Sequence, residues 1–184
     1  MISVWGGCSN TVIFNMISHY LDWKHNNERI GCAHLIIVNS REEAEDSENG
    51  WFENFDIYQQ LEAFNIPESY PALLLVWMDI DENFKSKKHG SHLLKYINNY
   101  AFENNCSFQY CKVNTGNEYE TRTKNQAFYK KNNWEIFACK QGNRIPEPCE
   151  VEAFIMAYKS TTNTIPINDC YSAEKITKEE FLED

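Results

Sequence analysis

"ALLLVWMDIDENFKSKKHGSHLL", residues 72–94, decides how this chain reads. Its first nine residues, Ala72–Ile80, form the strongest strand signal in the sequence. Such a continuous apolar run belongs to a strand buried on both faces, near the middle of a sheet. Next, "NFKSKKHGSHLL" brings three lysines and a serine up to one glycine. A helical pattern then starts at once, with Leu93, Leu94, Ile97, Tyr100 and Ala101 on one face. A strand running straight into a helix leaves the first turn of N–H groups unpaired. Those groups carry the positive end of the helix dipole and suit a phosphate. Glycine lets backbone approach a ligand closely, and lysines meet further phosphate oxygens. The stretch therefore reads either as an anion-binding turn or as a solvated helix entrance.

The basic knot sits in a chain of formal net charge −10. That acidity argues against nonspecific nucleic-acid binding, which needs a basic surface to displace counterions. It suits a cationic acceptor such as an amine or a basic peptide, and equally serves solubility. With 184 residues, 42% of them hydrophobic, the chain has the material for one buried core and is short for two. No run approaches the roughly 20 apolar residues that cross a bilayer. "MISVWGGCSN" lacks the layout of a secretory signal, so a cytoplasmic location is expected. The seven cysteines are an odd number without a C-x-x-C pair, which argues for reduced thiols and against a zinc ribbon or a disulfide framework. No metal is expected.

Outward from residues 72–94, the elements follow in order. "MISVWGG" reads as a short strand. A helix is expected from Thr11 to Lys24, capped by Ser9 or Asn10, with Ile13, Met16, Ile17, Tyr20 and Leu21 on one face. "CAHLIIVNS" reads as a buried strand and "REEAEDSENG" as an exposed loop or fraying helix start. "WFENFDIYQQLEAFNI" has helical spacing, ended by Pro67 and Pro71. After the central strand and its helix come a strand in "SFQYCKVNT", a short helix in "KNQAFYKKNN", and strands in "WEIFACKQ" and "VEAFIMAYKS" joined by "GNRIPEPCE". A polar tail leads to a capped helix from Ser172 to Leu182. The expected fold is α/β: one domain over residues 1–184, with a mixed, mostly antiparallel twisted sheet flanked by helices.

The order strand, acidic residue, aromatic, basic, x, x, G, x, G, x, x, L, L, met here with Lys88 at the first G, resembles the acetyl-CoA loop of the GNAT N-acetyltransferase superfamily, whose pattern is R/Q-x-x-G-x-G/A. Lys85 takes the Arg/Gln place, Lys88 the first glycine and Gly90 the second. Ile80 falls where the family has a valine whose backbone pairs with the pantetheine arm. Lys88 departs from the pattern, because a non-glycine residue strains at glycine's backbone angles. "NQAFYKKNNWEIFA", residues 125–138, resembles the family's later block: Phe128-Tyr129 match its aromatic pair and Asn133-Trp134 its Gly-Phe. Asparagine tolerates the left-handed angles that glycine would supply. The resemblance covers roughly half the chain. It divides the chain into a variable part (1–70), a coenzyme-binding core (71–160) and a tail (161–184).

The resemblance implies acetyl-CoA as cosubstrate, an amine of a small molecule or protein as acceptor, direct attack without a covalent intermediate, and a monomer or homodimer acting without nucleic acid, membrane or metal. It implies coenzyme contacts from Met78, Ile80, Lys85, Ser86, Lys87, Lys88, His89, Gly90 and Ser91. Asn114 and Asn125 would reach the coenzyme arm, and Tyr129 would contact the coenzyme and, as general acid, protonate the leaving thiolate. Acyl transfer to an amine needs a polarised carbonyl, a neutral amine and a stabilised thiolate. Asp79, Asp81 and Glu82, at the end of the central strand, are candidate bases, with Asp79 and Glu82 set beside Tyr129 as the catalytic residues. The acidic run from Glu42 to Glu48 is another source of a base. Two other readings stand. Without its first glycine and an assigned base, the fold would serve as a CoA- or protein-binding module without turnover. Cys8 in "GGCSN", with His19, His25 or His34 as base, would make a cysteine nucleophile.

Overall fold

The computed structural model describes residues 17–45, 69–113, 119–138 and 155–182. One seven-stranded sheet organises them. Its strands in chain order are β1 (Ile17–His25), β2 (Glu28–Val38), β3 (Ala72–Ile80), β4 (Phe108–Val113), β5 (Glu135–Ala138), β6 (Ile155–Ser160) and β7 (Tyr171–Ile176). In space they run β5-β6-β4-β3-β2-β1-β7. Only β3 and β4 pair in parallel; the other neighbours are antiparallel. The helices are α1 (Arg41–Glu45), α2 (His89–Glu103), α3 (Tyr119–Lys131) and α4 (Lys178–Leu182). The mixed, mostly antiparallel sheet with flanking helices is the expected one. β3 is central and α2 follows it directly, as their apolar patterns require.

Two elements differ from expectation. Residues 17–24 are a strand, not the end of a helix. Their helical spacing is coincidental with a two-residue alternation in which Leu21 and Trp23 are buried on one face. The overlooked signal is "HNNE": Asn26 and Asn27 have φ of 51° and 65° and turn β1 into β2 as a tight hairpin. Residues 171–176 are also a strand, because the open edge of β1 pairs with them. The helix begins only at Lys178. Thr177 is its cap: its hydroxyl accepts from Glu180 N at 3.2 Å, and Glu180 accepts from Thr177 N at 2.7 Å. The acidic run opens as the short helix α1, with Ser40 Oγ accepting from Glu43 N at 3.2 Å. The expected strand at residues 1–7, residues 11–16 of the first helix and the helix at 51–66 lie outside the described residues.

The main core lies between one face of the sheet and helices α2 and α3. Leu21, Trp23, Leu35, Leu73 and Leu75 of the sheet meet Leu93, Leu94 and Ile97 of α2 and Tyr129 of α3. The C-terminal segment is tied across α2. Asn99 Nδ2 donates to Ile165 O at 2.9 Å, and Asn98 Nδ2 to Asn163 O at 2.8 Å.

Candidate active site

The site begins where two strands part. β3 and β4 pair from Ala72/Phe108 to Leu75/Cys111 and no further, although β3 continues to Ile80 and β4 to Val113. Neither strand is fraying. β3 stays paired to β2 as far as Ile80/Gly31, and β4 stays paired to β6 as far as Val113/Ile155. A slot therefore opens between two strands that are each held from outside. At the slot's closed end β3 carries a bulge. Leu35 opposes Leu75 and His34 opposes Trp77, which leaves Val76 as the extra residue. A bulge releases ladder groups and re-aims the backbone, and bulges recur beside active sites. Exposure rises at the same point: Leu75 is buried and Trp77 is 51% exposed. Trp77 and Asp79 alternate with Met78 and Ile80, which turn toward the core.

The slot leads to the α2 entrance. Asp81 N donates to Ile30 O at 3.0 Å, and a 3₁₀ turn spans Glu82–Phe84. Ser86 and Lys88 then take left-handed φ of 66° and 68°. The first intrahelical bonds reach Lys88 O from Ser91 N and His92 N, at 3.0 and 3.2 Å. The N–H groups of Lys88, His89 and Gly90 precede those donors. Gly90 has a packing reason to be glycine: a Cβ there would lie 3.3 Å from the Phe128 ring and 3.6 Å from Ile80. Lys88 thus carries the left-handed backbone angles that favour glycine. Lys88→Gly is expected to stabilise the chain by up to about 1 kcal/mol, because left-handed geometry costs an L-residue about that much. Thermal unfolding would then show a rise of about 2–4 °C; a lower melting temperature would mean that the lysine side chain contributes more than its backbone costs.

The loop's charges are partly engaged. Lys85 Nζ lies 2.7 Å from Glu82 and 3.9 Å from Asp79. Lys87 Nζ donates to Asn83 O at 3.1 Å and stands over the Phe84 ring. Glu82 is 85% exposed. His89 is buried, with Nδ1 2.9 Å from the Tyr171 hydroxyl, and burial lowers its pKa. His92 also faces the β7 side of α2. It stacks on Tyr171 at 4.3 Å, and Tyr171 stacks on Trp23. The tail strand β7 thus packs against the start of α2, a contact the sequence reading missed because it made this segment a helix.

Tyr129 projects from α3 into the core and is 8% exposed. Its hydroxyl donates to the thiol of Cys111, the last β4 residue paired with β3. Burial, chiefly, holds the phenol well above its ordinary pKa and pushes the Cys111 thiol up to about 12. The phenol therefore stays protonated and remains a hydrogen-bond donor. Asn133 has φ 63°, a left-handed angle that asparagine tolerates, and Trp134 packs edge-on to Tyr129 at 5.5 Å. Asn125 lies on α3 one turn before Tyr129. Asn114 and Cys8 lie outside the described residues. Of Cys8's proposed partners, His19 packs on Tyr100, His25 on His89, and His34 on Tyr20. Among the described residues the cysteines are free thiols, no cluster could hold a metal, and no helix is long and apolar enough to cross a membrane.

No family model matches the sequence, and no curated protein matches it. Among solved structures it is similar to a CoA-dependent acyl-homoserine lactone synthase, BjaI, determined with SAM and isopentyl-CoA, at 10% identity and a TM-score of 0.47. The match covers 90% of this chain, which spans 62% of that structure's length.

Proposed function

We propose that the protein transfers an acyl group, with acetyl the simplest, from CoA to a primary amine. The observation that carries this reading is the held-open slot after Leu75/Cys111, with the Val76 bulge at its closed end and the α2 entrance at its mouth. A pantetheine arm is an extended chain with amide groups, suited to the unpaired edge of β3 at Met78 and Ile80, with Asn125 of α3 on the far side. The diphosphate meets the N–H groups that open α2, among Lys85, Ser86, Lys87, Lys88, His89, Gly90 and Ser91. The thioester carbonyl then lies at the bulge, where a backbone N–H polarises it. The amine attacks the carbonyl, the C–N bond forms and the C–S bond breaks. Tyr129 donates a hydrogen bond to the leaving thiolate, which takes its proton from solvent. Asp79 and Glu82 were the expected bases; their ion pairs with Lys85 suit them to setting the charge at the mouth.

The reading is tested by following thiol release from acetyl-CoA over a panel of amines. Binding with no turnover on any amine would favour the alternative, a CoA-binding module. The pairing of Lys85 and the strain at Lys88 are the observations on that side. Gly90→Val is expected to weaken CoA binding more than about ten-fold, or about 1.4 kcal/mol. The new methyl groups meet Phe128 and Ile80 and shift the first turn of α2. Unchanged affinity by calorimetry would remove this loop from the site.

A further inference from the structure

We propose that His34 is the group through which the acceptor amine loses its proton. This rests on the acyltransferase reading above. His34 is the β2 residue directly opposite the bulge, partnered with Trp77 in register. It stands on the sheet face that carries Trp77, away from the α2–α3 core, so coenzyme and acceptor would approach the slot from opposite faces. Its side chain is 7% exposed, and Ser18 Oγ lies 3.2 Å from Nε2. Tyr20 of β1 stacks on the ring at 4.2 Å, and Phe181 of α4 lies 6.0 Å away. Tyr20 is the titratable group among these ring contacts, and Asp79 lies two residues beyond Trp77 on the same face of β3.

The chemistry asks for such a group. A primary alkylamine is protonated at neutral pH and attacks only as the free base. An imidazole, with an ordinary pKa of about 6.5, is matched to accept that proton near neutrality. Strands lie about 4.8 Å apart, so the imidazole is one strand from the bulge and within reach through one water. One proton passes from the ammonium nitrogen through that water to the ring before attack, which frees the lone pair; the C–N bond then forms, and the second N–H proton leaves to solvent as the C–S bond breaks. Nε2–H of the resulting imidazolium donates to Ser18 Oγ. The C–S electron pair leaves on the thiolate, which is protonated from solvent, and the imidazolium returns its proton to solvent. Neither Asp79 nor Glu82 combines burial, a positioning partner and a place beside the bulge.

The test measures transfer from acetyl-CoA to phenethylamine, which is protonated at neutral pH, and to aniline, which is not. Wild type, His34→Gln and Ser18→Ala are compared from about pH 5 to 9, across the imidazole range. His34→Gln is expected to lower kcat/KM for phenethylamine about 10²-fold. The same variant should abolish the acid limb of the profile, change aniline transfer little and leave acetyl-CoA affinity unchanged. Ser18→Ala keeps the ring but removes the acceptor for its cation, so the acid limb should move to lower pH. An unshifted acid limb in both variants, or equal losses on both amines, would overturn the assignment. If His34→Gln fails to fold, the Ser18→Ala shift alone decides. Acetyl-CoA binding by the wild type without transfer to phenethylamine would overturn the role of His34 and leave the coenzyme site standing. No acetyl-CoA binding at all would strike at the acyltransferase reading itself.

Discussion

Tyr129→Phe is expected to reduce kcat by about 10²–10³-fold, the usual loss when one donor to a developing anion is removed. Acetyl-CoA affinity and melting temperature should hardly change. The phenylalanine ring keeps the contacts with Phe128 and Trp134, and the only bond lost is to the weakly accepting Cys111 thiol. Burial keeps this phenol protonated, so it is available to the thiolate as a hydrogen-bond donor. The loss should therefore appear in kcat and persist across neutral pH. A purely structural tyrosine would give the reverse pattern: a lower melting temperature with kcat unchanged.

The largest stability effect is expected at Gly31→Ala. A Cβ at this position would lie 2.3 Å from the carbonyl oxygen of Asp79 and 3.0 Å from Ile80 Cδ1. The first of these atoms is backbone, so no side-chain rotation relieves the clash. Either β2 or the end of β3 must move. Overpacking of this kind costs about 3 kcal/mol, which for a chain of this size is a fall of about 6–12 °C in melting temperature. The end of β3 carries the turn into α2, so coenzyme binding should weaken as well. A melting temperature within about 2 °C of wild type, less than 1 kcal/mol at this chain length, would mean that the β2–β3 register differs from Gly31↔Ile80.

Much of the site's frame was legible because it depends on local chemistry. The apolar run 72–80 and the periodic Leu93, Leu94 and Ile97 specify a strand and a helix without help from the rest of the chain, and their junction fixes the loop. Asn133 was readable through the resemblance of its block, because asparagine tolerates the left-handed angle found there. What could not be read depends on partners distant in sequence. β1 is a strand because β2 and β7 flank it, and its own residues fit a helical period as well as an alternating one. The Val76 bulge is a mismatch between two strands and leaves no mark in "LLLVWMDI". His34 reads as one polar interruption in the apolar strand "CAHLIIVNS". Only pairing with Trp77 puts it beside the slot. The engagement of Lys85 by Glu82 was open to reading from their three-residue spacing, while the packing of Tyr171 against His89 joins residues 82 positions apart.

The central claim is that the slot between β3 and β4 holds the pantetheine arm of CoA. A crystal structure of the protein with CoA tests it most directly. The expected result is the arm running along Val76–Ile80, with the diphosphate on the N–H groups of Lys88, His89 and Gly90 and the sulfur near Tyr129. CoA bound away from the slot, or a slot closed by continued pairing of β3 with β4 beyond Leu75/Cys111, would contradict it.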